Sequence, residues 1–283
     1  MATRAVYFSM WIFAALALNG CALTDGGNDP EKVLSRALSG ISAKDNFSFN
    51  GSFEVKNSGI WLEKGRRFEG FVVHRNQLYI KTFSLSDLNV KQNEHEYYNS
   101  RKGTAYLRSG SGWKLLGNGS TPRNDPMSDW NPVYYFRLIQ KYKKTVEIDG
   151  KLSDPEKIVL NIRLDPKEIA NVMNQRLRDG FNAEVTEVRH KTLQRDSQAT
   201  AKDLKMQRDI HSVYTAAEKE WQEISNSLSV NPQVLLWIER KTNLPKRLQV
   251  NMVMNYSLHG KDFQEINKVT CDITNFDKFY NIP

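Results

Sequence analysis

Two cysteines, Cys21 and Cys271, supply all the thiol chemistry of this 283-residue chain. A disulfide framework of the kind that staples small exported domains is therefore excluded, and stability has to come from an apolar core. Metal-ligand spacings are missing as well. The five histidines (His74, His95, His190, His211 and His259) are scattered, and no H-E-x-x-H, C-x-x-C or H-x-x-x-H pattern occurs. His95 stands between Glu94 and Glu96, but neighbours in a strand face opposite ways and do not form a ligand set. No G-x-S-x-G elbow is present, and Gly110-Ser111-Gly112 is too short for a phosphate loop. Beyond residue 20, no run approaches the roughly 18 apolar residues that span a bilayer. Charge of one sign never accumulates either: 40 Lys and Arg are mixed with 32 Asp and Glu, for a net +8, and no basic run reaches five. That pattern reads as a mildly basic solvated surface, without a nucleic-acid-binding module. These absences leave no catalytic residue, cofactor, metal or nucleic-acid partner to assign.

Apolar residues make up 40% of the chain, enough for one large domain or two small ones with a substantial core. The first twenty residues stand apart. Arg4 is followed by an apolar stretch, Ala5 to Leu18, of signal-peptide length. It closes on Leu18-Asn19-Gly20-Cys21, which resembles the lipobox of bacterial lipoproteins. The resemblance implies that the Cys21 thiol receives a diacylglyceryl group and that the bond before it is then cut. The mature protein would be lipid-anchored on the extracytoplasmic face of the cell membrane. Residues 22–30, rich in Gly, Asp and Asn, would form a linker of at most ~30 Å. The expected organisation is a signal peptide over 1–20, the lipidated Cys21 with its linker over 21–30, and one domain over 31–283. A helical insertion is expected at about 183–228.

Within that domain, Asp29-Pro30 opens a helix from Glu31 to about Lys44. Asn46–Lys56 is the clearest strand. Phe47, Phe49, Gly51, Phe53 and Val55 alternate with polar residues, so one face is buried and one is wet. Further strands are expected at 60–64, 67–74, 77–83, 96–99, 104–108 and 112–116, separated by short turns as in an antiparallel meander. Asn131-Pro132 and Asp165-Pro166 open two more helices, the second expected to stop at Asp179-Gly180. A hairpin of 145–149 and 156–164 lies between them. Residues 183–227 carry an amphipathic stripe and read as one long helix, or two with a break near 196–200. Three strands close the chain, over 233–242, 246–258 and 262 to about 277, with Asn231-Pro232 expected to bound the first. Cys271 falls among apolar neighbours in the last of them and reads as an inert buried thiol.

The segment Leu235–Val250, LLWIERKTNLPKRLQV, resembles the strand-turn-strand motif of LolA/LppX-like lipoproteins and lipoprotein carriers. The FSFNGSFEV strand after a short helix and the closing CDITNF strand resemble that class too. The resemblance implies an α+β fold: a curved antiparallel half-barrel whose concave face is covered by helices and encloses an apolar cavity for acyl chains. The candidate lining residues, taken from the apolar strand faces, are Phe47, Phe49, Phe53, Ile158, Leu160, Val250, Met252 and Met254. Two functions remain open. One is an anchored, non-enzymatic protein that binds a lipid or acyl chain. The other is an anchored scaffold or regulator that meets an envelope membrane protein through its surface.

Overall fold

A computed structural model describes residues 29–57, 64–75, 77–84, 95–99, 104–109, 112–117, 130–193 and 201–280. Its elements are α1 (Pro30–Ser42), β1 (Phe47–Asn57), β2 (Lys64–Val73), β3 (Gln77–Ser84), β4 (His95–Asn99), β5 (Ala105–Ser109) and β6 (Gly112–Gly117). Then follow α2 (Pro132–Tyr142), β7 (Lys143–Ile148), β8 (Lys157–Leu164), α3 (Pro166–Leu193), α4 (Ala201–Ser227), β9 (Ser229–Glu239), β10 (Pro245–Leu258) and β11 (Lys261–Thr274). All eleven strands join one antiparallel sheet in the order β6-β5-β4-β3-β2-β1-β11-β10-β9-β8-β7. The α+β class expected from the sequence is the class observed. Among the described residues the sheet is open, with β6 and β7 at its edges.

Three helices start with the same local device. An Asp or Asn caps the first turn and a proline follows, its missing N–H costing nothing at that position. Asp29 accepts from the amides of Glu31 and Lys32 at 3.1 and 3.3 Å, Asn131 from Val133 at 3.0 Å, and Asp165 from Lys167 and Glu168 at 2.9 and 3.1 Å. These caps set where α1, α2 and α3 leave the sheet.

One face of the sheet is a run of matched apolar rows. Phe68, Gly51, Cys271, Leu248, Leu236, Leu160 and Ile148 stand side by side across seven neighbouring strands. Val33, Leu34, Ala37 and Ile41 of α1 pack on this face, as do Tyr135, Phe136, Leu138 and Ile139 of α2 and Ile169 of α3. Two glycines of this face are places where rings need room. Gly51 pairs with Phe68 and Gly70 with Phe49, so each ring lies over the partner strand's glycine. The Phe49 and Phe68 ring centroids are 6.2 Å apart.

Two boundaries differ from the sequence expectation. Gly180 does not end a helix: α3 runs through it to Leu193. A glycine costs a formed helix only about 1 kcal/mol, which continued propagation readily offsets. Proline 232 does not bound a strand either, because β9 begins at Ser229 and Pro232 pairs with Met252. Strand β8 reaches only as far as Gln233, so Pro232 lies where one side of β9 is unpaired and a proline is tolerated. The strand expected at 60–64 falls almost wholly outside the described residues, as does the helix break near 196–200.

Candidate functional site

The eight candidate lining residues share the helix-covered face but not one environment. Phe47, Phe49, Ile158, Leu160, Val250 and Met252 are buried in the main core cluster, whereas Phe53 and Met254 are half-buried at its margin. The difference follows position along the strands. The row through Phe53, Val269, Val250, Val234 and Ile162 is wholly apolar. Two residues further up, the row reads Val55, Asn267, Met252 and Pro232, and the next reads Asn57, Glu265, Met254 and Val230. Across β1, β11, β10 and β9, polar groups thus enter the inner face at the end where α3 and α4 arch over β9 and β10. On β3 and β4 the same face carries Thr82 and Asn99, opposite Phe68 and Leu78, and the side-chain oxygens of Thr82 and Asn99 are buried without a hydrogen bond among the described residues.

That end carries polar atoms without protein partners. Asn267 donates its amide to Glu265 at 2.9 Å, but its Oδ1 is buried with no hydrogen bond among the described residues. The same holds for Nε1 of Trp130, whose ring meets Phe53 edge-on at 6.5 Å, and for Nε1 of Trp221 on α4. Each unmet buried group costs roughly 1–3 kcal/mol, and native interiors hold few of them. Helix α4 is fastened beyond this end. Ser227 Oγ accepts from the Ser257 amide at 2.8 Å, and Glu223 accepts from the Gly260 amide at 3.1 Å. That backbone N–H holds the Glu223 carboxyl below the usual carboxylate range.

The strand-turn-strand motif is structural in its chemistry. Thr242 donates to Glu239 Oε2 at 2.5 Å, lowering that carboxyl, and accepts from the Leu244 amide at 3.3 Å. Asn243 takes the left-handed conformation at φ 55°, which asparagine tolerates well. Leu244 then reaches α1, where a Cβ on Gly40 would lie 3.1 Å from its Cδ2. Arg247 grips Asp272 of β11 through two bonds, 2.5 and 2.9 Å long. The motif shapes a turn and seats α1 on it.

Cys271 is fully buried on the inner face, and burial pushes its thiol well above the usual range. The native protein is therefore expected to leave Cys271 unmodified by a thiol reagent such as Ellman's reagent, with full reaction in denaturant. Fast labelling of the folded protein at Cys271 would contradict the packing described. Cys21 lies outside the described residues. Among the described residues no three His, Cys, Asp or Glu side chains are grouped to hold a metal, and no helix is long and apolar enough to cross a membrane.

The opposite sheet face mixes polar residues with apolar ones such as Val159 and Trp237, and it carries an aromatic row that only the strand register brings together. Phe71, Tyr79, Tyr98 and Tyr106 are cross-strand partners. Phe71 is stacked on Tyr79 at 4.8 Å and on Tyr280 at 4.9 Å, and Tyr98 on Tyr106 at 5.9 Å. Burial, and then the bond from its hydroxyl to Glu96, pushes the Tyr79 phenol up. Arg108 holds both Glu96 oxygens at 3.0 and 2.9 Å. Because these rings lie face to face, the row stabilises strand pairing and offers few free ring faces to a ligand. Period-two aromatics in short strands were visible in the sequence, but their pairing register was not.

No protein-family model and no curated protein matches the chain. Among solved structures, LprF from Mycobacterium bovis aligns with a TM-score of 0.44 at 10% identity, covering 90% of this chain and 96% of that one. A DUF1329 family protein from Desulfovibrio piger aligns at 0.29 and 9%, covering 90% and 95%. A LolA superfamily protein from Nitrosomonas europaea aligns at 0.27 and 9%, covering 90% and 94%. All three scores lie below 0.5.

Proposed function

We propose that the protein is a non-enzymatic lipoprotein of the cell envelope, anchored through Cys21 on the extracytoplasmic face of the membrane. It binds an acyl chain of a lipid or lipoprotein at the α3–α4 end of the helix-covered sheet face. The observation that carries this reading is the gradient along that face, from closed apolar core to half-buried Phe53 and Met254 beside buried, unpartnered Asn267 Oδ1 and Trp130 Nε1. An apolar surface with a few convergent polar atoms suits an amphiphile, whose chain lies on the former and whose ester or headgroup meets the latter. Met254 adds a side chain able to follow different chain shapes. Phe49, Ile158, Leu160, Val250 and Met252 belong to the closed core of the same face, and Phe47 lies at its far end.

Photocrosslinking in cells tests this reading. With p-benzoylphenylalanine in place of Met254, lipid adducts are expected on the protein. The same group in place of Ser52, on the opposite sheet face, should capture none. Equal capture at both positions, or none at Met254, would contradict it. The scaffold reading draws on Leu177 and Val213, exposed at 49% and 66% on the helical hairpin. Single exposed apolar side chains are ordinary on protein surfaces, and this reading stands second.

A further inference from the structure

At the other end of the sheet, α1 and α2 leave an apolar cleft of about 240 Å³ between them. Leu38 and Ile41 of α1, Phe47 of β1, and Val133 and Phe136 of α2 form its walls. Its rim carries three cations and two neutral polar side chains: Lys44, Arg75 and Arg137, with Ser42 and Gln140. Two of the cations are already matched. Lys44 is paired with Asp277 at 2.5 Å and Arg75 with Asp45 at 2.7 Å. Arg137 is exposed and has no ion pair or hydrogen bond among the described residues. The rim therefore presents one uncommitted positive charge beside an apolar hollow.

We propose that this cleft is a second ligand site, taking one alkyl chain that bears an anionic head, carboxylate or phosphate, with Arg137 holding the head. Size and charge each contribute. The cleft exceeds the roughly 150 Å³ apolar cavity that admits a benzene molecule, which makes a short length of chain a fitting guest. It is smaller than the roughly 300–1,000 Å³ of pockets for drug-sized ligands, which excludes a two-chain lipid. A guanidinium is weakly hydrated and matches carboxylate and phosphate oxygens with two parallel N–H donors. The site lies at the Phe47 end of β1, about ten residues or ~30 Å along the strand from Asn57 at the α3–α4 end, so the two sites stand or fall separately.

The test uses the full chain in phosphatidylcholine nanodiscs with three diazirine-bearing C12 probes: a free carboxylate, an alkyl phosphate and an alkyl ammonium. Carboxylate and phosphate probes are expected to label peptides containing Leu38–Ser42 and Val133–Gln140. The ammonium probe should label them at least fivefold less. Arg137→Glu should cut anionic labelling at least fivefold and Arg137→Lys should largely keep it, while circular dichroism stays unchanged because Arg137 is exposed. Ser42→Trp, which narrows the cleft from its exposed rim, should abolish labelling by every probe. A diazirine phosphatidylglycerol run in parallel separates a free single-chain acid or phosphate from a bilayer phospholipid, and it should label these peptides no more than background. Equal labelling by anionic and cationic probes, labelling indifferent to Arg137→Glu, or preferential capture of the phospholipid would each overturn the proposal.

Discussion

Replacing Cys21 with Ala is expected to remove nearly all of the protein from the membrane fraction, or to leave it there only as an unprocessed precursor. An acyl anchor holds in proportion to the chain it buries. Buried methylene groups contribute about 0.8 kcal/mol each, one chain gives marginal attachment, and two give stable attachment. Among the described residues no helix is long and apolar enough to cross a membrane. Without residues 1–20 the chain loses only Arg4 from a formal +8, leaving a weakly basic surface of +7. Contacts of that kind are worth about 1 kcal/mol per basic residue near an anionic membrane and are screened by salt. Fractionation after a high-salt wash therefore separates the two causes of retention. Fully processed Cys21→Ala protein that stays on salt-washed membranes would show that this cysteine is not the anchor.

Substituting Gly70 with Val is expected to lower stability by about 3 kcal/mol, the upper end of the usual range for overpacking a core. A Cβ at this position would run into the Tyr79 carbonyl oxygen and lie 2.6 Å from Cζ of Phe49. The carbonyl belongs to the β2–β3 ladder and cannot step aside, and the Phe49 ring is 1% exposed with core on every side. Gly51→Val should act alike, since its Cβ would meet the Thr270 carbonyl and lie 2.7 Å from Cζ of Phe68. For a domain of this size, 3 kcal/mol corresponds to a Tm lower by roughly 6–12 °C. Gly150→Ala is the control: nothing lies within 4 Å of its added Cβ, so the change should stay within about 0.5 kcal/mol. Equal melting temperatures for Gly70→Val and Gly150→Ala would mean that the two strands do not meet as described.

Local signals in the sequence reached some of this architecture and missed other parts for identifiable reasons. The alternation of Phe47, Phe49, Gly51 and Phe53 placed β1 and its buried face, because a strand of period two needs only its own residues to declare itself. Asn131-Pro132 and Asp165-Pro166 located two helix starts for the same reason. Gly180 and Pro232 misled because their meaning depends on context. One lies in a helix long enough to carry it, the other on a stretch of strand with a neighbour on one side only. The apolar faces of β1, β8 and β10 were legible, but which of their residues are sealed was not. Met252 and Met254 look alike in the sequence, yet the first is 5% exposed and the second half-buried at the margin of the core. The α1–α2 cleft was out of reach, since Leu38, Phe47, Arg75 and Arg137 come from four separate segments. So were Asn267 and Glu265, ordinary polar residues until their strand register turned them inward.

The central claim is twofold: the protein is anchored through Cys21, and it carries an acyl chain against its helix-covered sheet face. Native mass spectrometry of the full protein, extracted gently from the membranes of its own host, addresses it most directly. The account predicts a polypeptide beginning at Cys21 with a covalent diacylglyceryl mass, plus a lipid held without a covalent bond that leaves on collisional activation. Replacing Met254 with Trp to crowd the α3–α4 end should reduce that bound lipid severalfold and leave the covalent mass unchanged. A protein recovered with its anchor but without any bound lipid, in wild type and variant alike, would contradict the account.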